Sequence, residues 1–283
     1  MASDRVPVCL SIAGSDSGGG AGIQADLKAF ARCGVHGTTA ITALTAQNTV
    51  AVTRVEPVSP EMIEAQVDAV ASDLGVDAVK IGMVGAAPAI EAVARALDRL
   101  PQGTPVVLDP VMIAESGARL LPEDAEAALR DLLLPRAAVV TPNVPEARVL
   151  GRAGDEAAPD ELARAVVAAG ARAVVVTGGH RDIATDLLFD GAALTEIPGE
   201  RHPDGAAHGS GCTHSSALAA HLALGFTLQE AARAAKAIAA EAVRLGLRDL
   251  GAGAGPVNVL GVGHGEVRAT APGGRLGGSP AAA

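Results

Sequence analysis

Val6-Pro7-Val8-Cys9-Leu10-Ser11-Ile12-Ala13 runs straight into Gly14-Ser15-Asp16-Ser17-Gly18-Gly19-Gly20-Ala21-Gly22, followed by the helix-compatible residues 23–33. A short apolar run of this kind reads as a strand covered on both faces, as in a parallel sheet. The glycines let the chain turn sharply, so the whole stretch reads as strand, loop, helix. The unit recurs along the chain. Strands are predicted at 37–42, 77–81, 105–108, 137–140, 173–176, 184–189 and 192–197. Helices are predicted at 60–73, 88–100, 122–133, 159–169, 213–224 and 228–245. This alternation means βαβ units, an α/β fold and a mostly parallel central sheet. With no linker and no internal repeat, residues 1–260 read as one domain. The segment 261–283 is rich in Gly, Pro and Ala and is expected to be a disordered tail.

Composition narrows the function. The chain has 283 residues and a net charge of −10, from 22 Lys+Arg against 32 Asp+Glu. Sequence-independent nucleic-acid binding needs a basic face and is disfavoured. A phosphorylated small molecule is still allowed, because a nest of backbone N–H groups binds anions on an acidic protein. There are three Phe, no Tyr and no Trp, so a heteroaromatic ligand must lie between aliphatic groups, Met, His or peptide planes. Cys9, Cys33 and Cys212 show no CxxC spacing, which argues against zinc and thioredoxin-type chemistry. Cys9 and Cys33 read as inert core thiols. The N-terminus lacks an apolar signal region, and no apolar run reaches membrane-spanning length. The chain is therefore expected to be cytoplasmic.

Candidate chemistry gathers after strands, where open α/β sheets bind ligands. The densest stretch is His208-Gly209-Ser210-Gly211-Cys212-Thr213. A glycine turn opening a helix presents N–H groups at the positive end of the dipole, which is an anion site. A thiol placed there is expected to ionise more easily than a free one. Asp109 and Glu146 are candidate Mg²⁺ ligands, directly or through water. The primary amide of Gln47 can read one edge of a heterocycle, and Asp26 lies on a helix just past the first glycine loop. That loop is a poor dinucleotide signal, because no acid falls between Asp26 and Glu56 to take a ribose. It is no P-loop either, since no Gly-Lys-Ser/Thr follows.

Taken together, the motifs resemble a known family. Ala13 through Lys28, Ile41 through Thr49, Lys80-Ile81-Gly82-Met83, Val107-Leu108-Asp109-Pro110-Val111-Met112, Thr141-Pro142-Asn143-Val144-Pro145-Glu146-Ala147 and the His208 stretch follow the order of the hydroxymethylpyrimidine/phosphomethylpyrimidine kinases of thiamine biosynthesis. The resemblance spans about residues 6–245. It implies a ribokinase-like three-layer α/β/α sandwich and two successive ATP-dependent phosphorylations, of a pyrimidine alcohol and then of its phosphate. It implies that Gly14, Asp26, Gln47, Met83 and Val111 line the pyrimidine site. Gly209, Ser210, Gly211 and Cys212 would form an anion hole, with Cys212 as base. Asp109 and Glu146 would hold Mg²⁺, Asn143 and Thr177 would serve the ATP phosphates, and Lys236 would approach them. It also implies a homodimer. Thr177 stands where some members carry Lys, and Arg181 is a candidate substitute. Pyridoxal kinase, or a kinase of both substrates, is the nearest alternative; a non-catalytic pyrimidine-binding regulator and a dehydrogenase are more distant ones.

Overall fold

The computed structural model describes residues 5–114, 117, 119–178, 184–203 and 205–263. Among these, nine strands form one sheet. In chain order they are β1 (Val8–Asp16), β2 (His36–Gln47), β3 (Val52–Pro57), β4 (Ala78–Ile81), β5 (Val106–Leu108), β6 (Val139–Val140), β7 (Val174–Val176), β8 (Asp186–Phe189) and β9 (Leu194–Ile197). Their order in the sheet is β3-β2-β1-β4-β5-β6-β7-β8-β9. The six from β2 to β7 are parallel, while β3, β8 and β9 pair antiparallel at the two margins. The chain winds outward from β1 in both directions. The switch between β1 and β4 opens a crevice at the strands' carboxyl ends, where such folds bind ligands.

Two helical layers cover the sheet, and strand alternation sorts the contacts. Leu10, Ile12, Val79, Ile81, Leu108, Val140 and Val174 face one core. It is completed by α2 (Pro60–Asp73), α3 (Ala87–Leu97), α4 (Glu123–Ala128), α5 (Val144–Gly151) and α6 (Pro159–Ala168). Cys9, Ala78, Val107, Val139 and Val175 face the other, beneath α1 (Gly22–Arg32), α7 (Ser210–Ala223) and α8 (Leu228–Arg244). The buried face of α7 is built from Ala217, Leu218, Ala219 and Ala220, and α8 meets it with Ala232 and Ala235. Small side chains let these backbones approach closely. That brings the N-terminus of α7 over the strand ends.

The expected α/β/α layering is present, with local differences. The segment around Gln47 is the end of a long β2 that hairpins into β3, because the turn Asn48–Ala51 closes on itself through the Asn48 side chain. The helix α5 was missed, since it is short and opens on Pro145. The single helix expected at 122–133 breaks after Ala128 into a π turn, Leu129–Leu133. Most of the expected tail, 264–283, lies outside the described residues, as do His180 and Arg181. No described helix is long and apolar enough to cross a membrane.

Candidate active site

A cavity of about 430 Å³ lies at the carboxyl ends of β1, β4, β5, β6 and β7. Gly14, Gln47, Met83, Val111, Asp109, Asn143, Glu146, Thr177, Lys236 and Gly209 through Cys212 all border it, as the sequence predicts. A Cβ at Gly14 would displace the Met83 methyl. The small residue and the thioether together leave a flat apolar wall. Thr42 Oγ1 donates to the Met83 carbonyl at 2.7 Å and fixes that wall to β2.

The first glycine loop is organised by Asp16. Its carboxylate accepts N–H bonds from Gly18 (2.7 Å), Gly20 (3.1 Å) and Ala21 (2.9 Å). His208 Nε2 lies 3.2 Å away. Burial pulls the Asp16 pKa upward, but the His208 and backbone hydrogen bonds outweigh it and hold the group below its usual range. The two glycine stretches are thus tied to one another. Gly209 caps α7 at φ +86°, and a Cβ there would strike the Gly20 carbonyl, so only glycine fits. Helix α7 starts at Ser210, three residues earlier than expected. The Ser210 N–H is used by the Ala207 carbonyl. Among the described residues nothing accepts from the N–H groups of Gly211 and Cys212, which leaves two donors at the positive helix end.

One expectation about this mouth is reversed. The Cys212 thiol is pushed up to about 12, not down. Burial is the main cause; Lys80 opposes it, while Asp26 and Asp109 add to it. Partial desolvation by the packed surroundings and two nearby carboxylates outweigh the helix dipole. Cys9 and Cys33 are also free, and burial raises them to about 12 and about 11.

Asp26 is the second correction. It is fully buried and does not border the cavity, so its expected bond to the aminopyrimidine is not available here. Its carboxylate instead accepts from Lys80 Nζ at 2.8 Å, Ser216 Oγ at 2.7 Å and Ser11 Oγ at 2.5 Å. Lys80, also fully buried, is a charged partner that sequence reasoning passed over. Burial pulls its pKa down, yet the surrounding Asp26, Cys212 and Asp109 raise it above the ordinary value. The available signal was a lysine inside the otherwise apolar Ala78–Ile81 strand.

Asp109 and Glu146 converge from β5 and α5. Ser215 Oγ of α7 donates to Asp109 at 2.9 Å. Burial raises the Asp109 pKa, against the pull of Lys80 and Ser215. Glu146 is raised to about 7 by burial and then by Asp109, despite N–H bonds from Asn143 and Met112. Asn143 and Glu146 are also a capping box: each side chain accepts the other's backbone N–H. Among the described residues no group of three His, Cys, Asp or Glu converges as a metal cage. Two buried, mutually repelling carboxylates beside a phosphate-type anion site do fit Mg²⁺, which takes few protein ligands and keeps waters.

The remaining wall carries Thr177 and Lys236. Thr177 donates its N–H to the Pro142 carbonyl at 2.9 Å and bridges to Asn143. Lys236 Nζ lies 2.6 Å from Asp186 Oδ1 of β8. Asp186 was not anticipated. Burial pulls its pKa upward, but His214, Lys236 and the Gly178 N–H hold it below the usual range.

A mostly parallel sheet with two open N–H donors at a helix mouth, facing carboxylates and a lysine, fits a small-molecule phosphotransferase of the α/β/α class. The comparisons with known proteins make this specific. The family profile for phosphomethylpyrimidine kinase matches residues 16–258. A hydroxymethylpyrimidine/phosphomethylpyrimidine kinase from Rhizobium meliloti is 54% identical over 257 residues, covering 89% of this chain and 96% of that one. The solved phosphomethylpyrimidine kinase of Clostridium difficile superposes with a TM-score of 0.73 at 38% identity, covering 84% of this chain and 100% of that one. The ADP complex of Bacillus subtilis pyridoxal kinase superposes with a TM-score of 0.82 at 36% identity, covering 91% and 99%. The chain belongs to the hydroxymethylpyrimidine/phosphomethylpyrimidine kinase family.

Proposed function

We propose that this chain transfers the terminal phosphoryl group of ATP first to the hydroxymethyl group of an aminopyrimidine and then to the resulting phosphate. The observation that carries the reading is the sharing of one cavity: the mouth of α7 opens into the space bordered by Gln47 and Met83. Gln47 reads the pyrimidine edge, while Gly14, Met83 and Val111 pack its faces. Asp26 does not touch the ring; it supports the floor through Lys80. The free N–H groups of Gly211 and Cys212 stabilise charge on the phosphoryl group in flight.

Asp109 and Glu146 would hold Mg²⁺, which supplies charge neutralisation between the phosphates. Asn143, Thr177 and Lys236 form the nucleotide wall in this reading; use of a nucleotide is supported by a structural relative solved with ADP. Cys212 stays the base of this reading, but a thiol raised to about 12 is neutral at rest near pH 7. The base role therefore belongs to the first step alone, because the second acceptor is an already ionised phosphate. A homodimer and a cytoplasmic setting remain part of the reading.

Pyridoxal is the second reading, favoured by the TM-score of 0.82 to a pyridoxal kinase. Product analysis with hydroxymethylpyrimidine, ATP and Mg²⁺ separates the two. The expected result is successive appearance of the mono- and diphosphate. Phosphorylation of pyridoxal with no pyrimidine product would replace the first reading by the second.

A further inference from the structure

Among the described residues, the wall made by α7, α8 and β8 holds three buried polar atoms with no hydrogen-bond partner: Asp186 Oδ2 and both ring nitrogens of His214. His214 is 4% exposed and Asp186 1%, and both border the cavity. His214 Nε2 stands 3.3 Å from Asp186 Oδ2, near enough for attraction but not aligned for a hydrogen bond. The other oxygen, Oδ1, takes Lys236 Nζ at 2.6 Å and the Gly178 N–H at 2.8 Å. Native interiors leave few polar groups unpaired, and such groups in a cavity wall point to something that binds there. His214 sits one turn along the same helix whose Gly211 and Cys212 N–H groups lack an acceptor among the described residues, and across from Lys236. An imidazole N–H is a good donor to a phosphate oxygen. The Asp186 carboxylate, already offset by Lys236, can hold the ring at its other nitrogen.

We propose that His214 is a nucleotide-binding residue whose ring donates to the phosphate chain beyond the α-phosphate, which ATP and ADP have and AMP lacks, with Asp186 as the positioning residue that orients the ring and keeps Lys236 beside it. The proposal rests on the phosphotransferase reading above and deepens its nucleotide side. Nothing in that reading uses His214, and a histidine buried for packing alone would have its ring nitrogens satisfied by the protein.

The test compares His214→Leu and His214→Gln in the full chain. Loss of a charge-assisted contact is expected to raise the KM for ATP in His214→Leu by about tenfold or more, with the loss in KM rather than kcat. His214→Gln keeps an N–H donor and is expected to recover much of it. Titration with ADP and AMP adds a readout free of turnover: ADP binding weakens in His214→Leu and AMP binding does not. An unchanged ATP KM in His214→Leu, no difference between the Leu and Gln variants, or equal weakening of ADP and AMP overturns the proposal. Should the wild-type chain turn over no ATP with the pyrimidine, the functional reading fails instead, and the ADP titrations still decide the role of His214.

Discussion

Two lysine–aspartate pairs stand on the same face of the sheet, and their surroundings separate them. Lys80–Asp26, at 2.8 Å, is sealed beneath α1 and α7 with both side chains at 0% exposure. Lys236–Asp186, at 2.6 Å, forms part of the cavity wall. The first has every neighbour supplied by the protein, with Ser11 and Ser216 completing the carboxylate. The second keeps an oxygen, Asp186 Oδ2, and a facing ring unmatched. The same two side chains hold a fold together in one place and wait for a ligand in the other. What differs is whether the remaining hydrogen-bond capacity is filled from within.

The largest expected effect tests the sealed pair. Lys80→Met strands a buried carboxylate and should cost ~3–5 kcal/mol, read by denaturant unfolding. The double variant Lys80→Met/Asp26→Leu removes both charges and should recover most of that loss. If the double variant is no better than the single one, packing rather than charge sets the floor.

Next is the pH response of Glu146, which lies between the sealed floor and the open wall. Its folded pKa is raised from 4.5 to about 7. The folded state therefore holds a proton that the unfolded state has already released, so stability falls as pH rises from about 4.5 to about 7. The loss is on the order of 3 kcal/mol by linkage, and Glu146→Gln should flatten it in thermal unfolding without Mg²⁺.

Cys212 sits above the sealed pair and faces the open cavity. Cys212→Ala should slow the first phosphorylation by about 10²-fold and the second far less, measured by following each product separately. In the wild type the first step should accelerate with rising alkaline pH, since a thiol at about 12 gains thiolate there. Equal losses in both steps would remove the base role.

The smallest effect concerns the open pair. Lys236→Met should raise the KM for ATP by about tenfold while destabilising the fold much less than Lys80→Met does. A stability loss equal to that of Lys80→Met would erase the distinction between the two pairs.

Much of the site was legible in the chain because its parts are local. A glycine that must turn before a helix, an Asn three residues ahead of a Glu, and a proline after a strand end are all short-range signals. Gly209, Asn143–Glu146 and Asp109 show them, and the structure brings all of these residues to one cavity. Gln47 was readable as a ligand-reading amide from its side chain alone, while the packing roles of Met83 and Val111 came only through the family resemblance. Lys80, Asp186 and His214 gave no assignable role, because their partners lie 54, 50 and 28 residues away. The edge strand β3 and the short helix α5 escaped because each is stabilised by its sheet or capping neighbours more than by its own periodicity.

By itself the sequence determined the α/β alternation, the placing of chemistry at strand ends and the glycine-capped helix mouth, since backbone conformation and apolar period are written in neighbouring residues. Only the tertiary structure decided that Asp26 faces a lysine and not a substrate, and that the Cys212 thiol is raised and not lowered. Proton affinity and access depend on which distant charges and how much water the packed layers place beside a group, and no spacing along the chain records that.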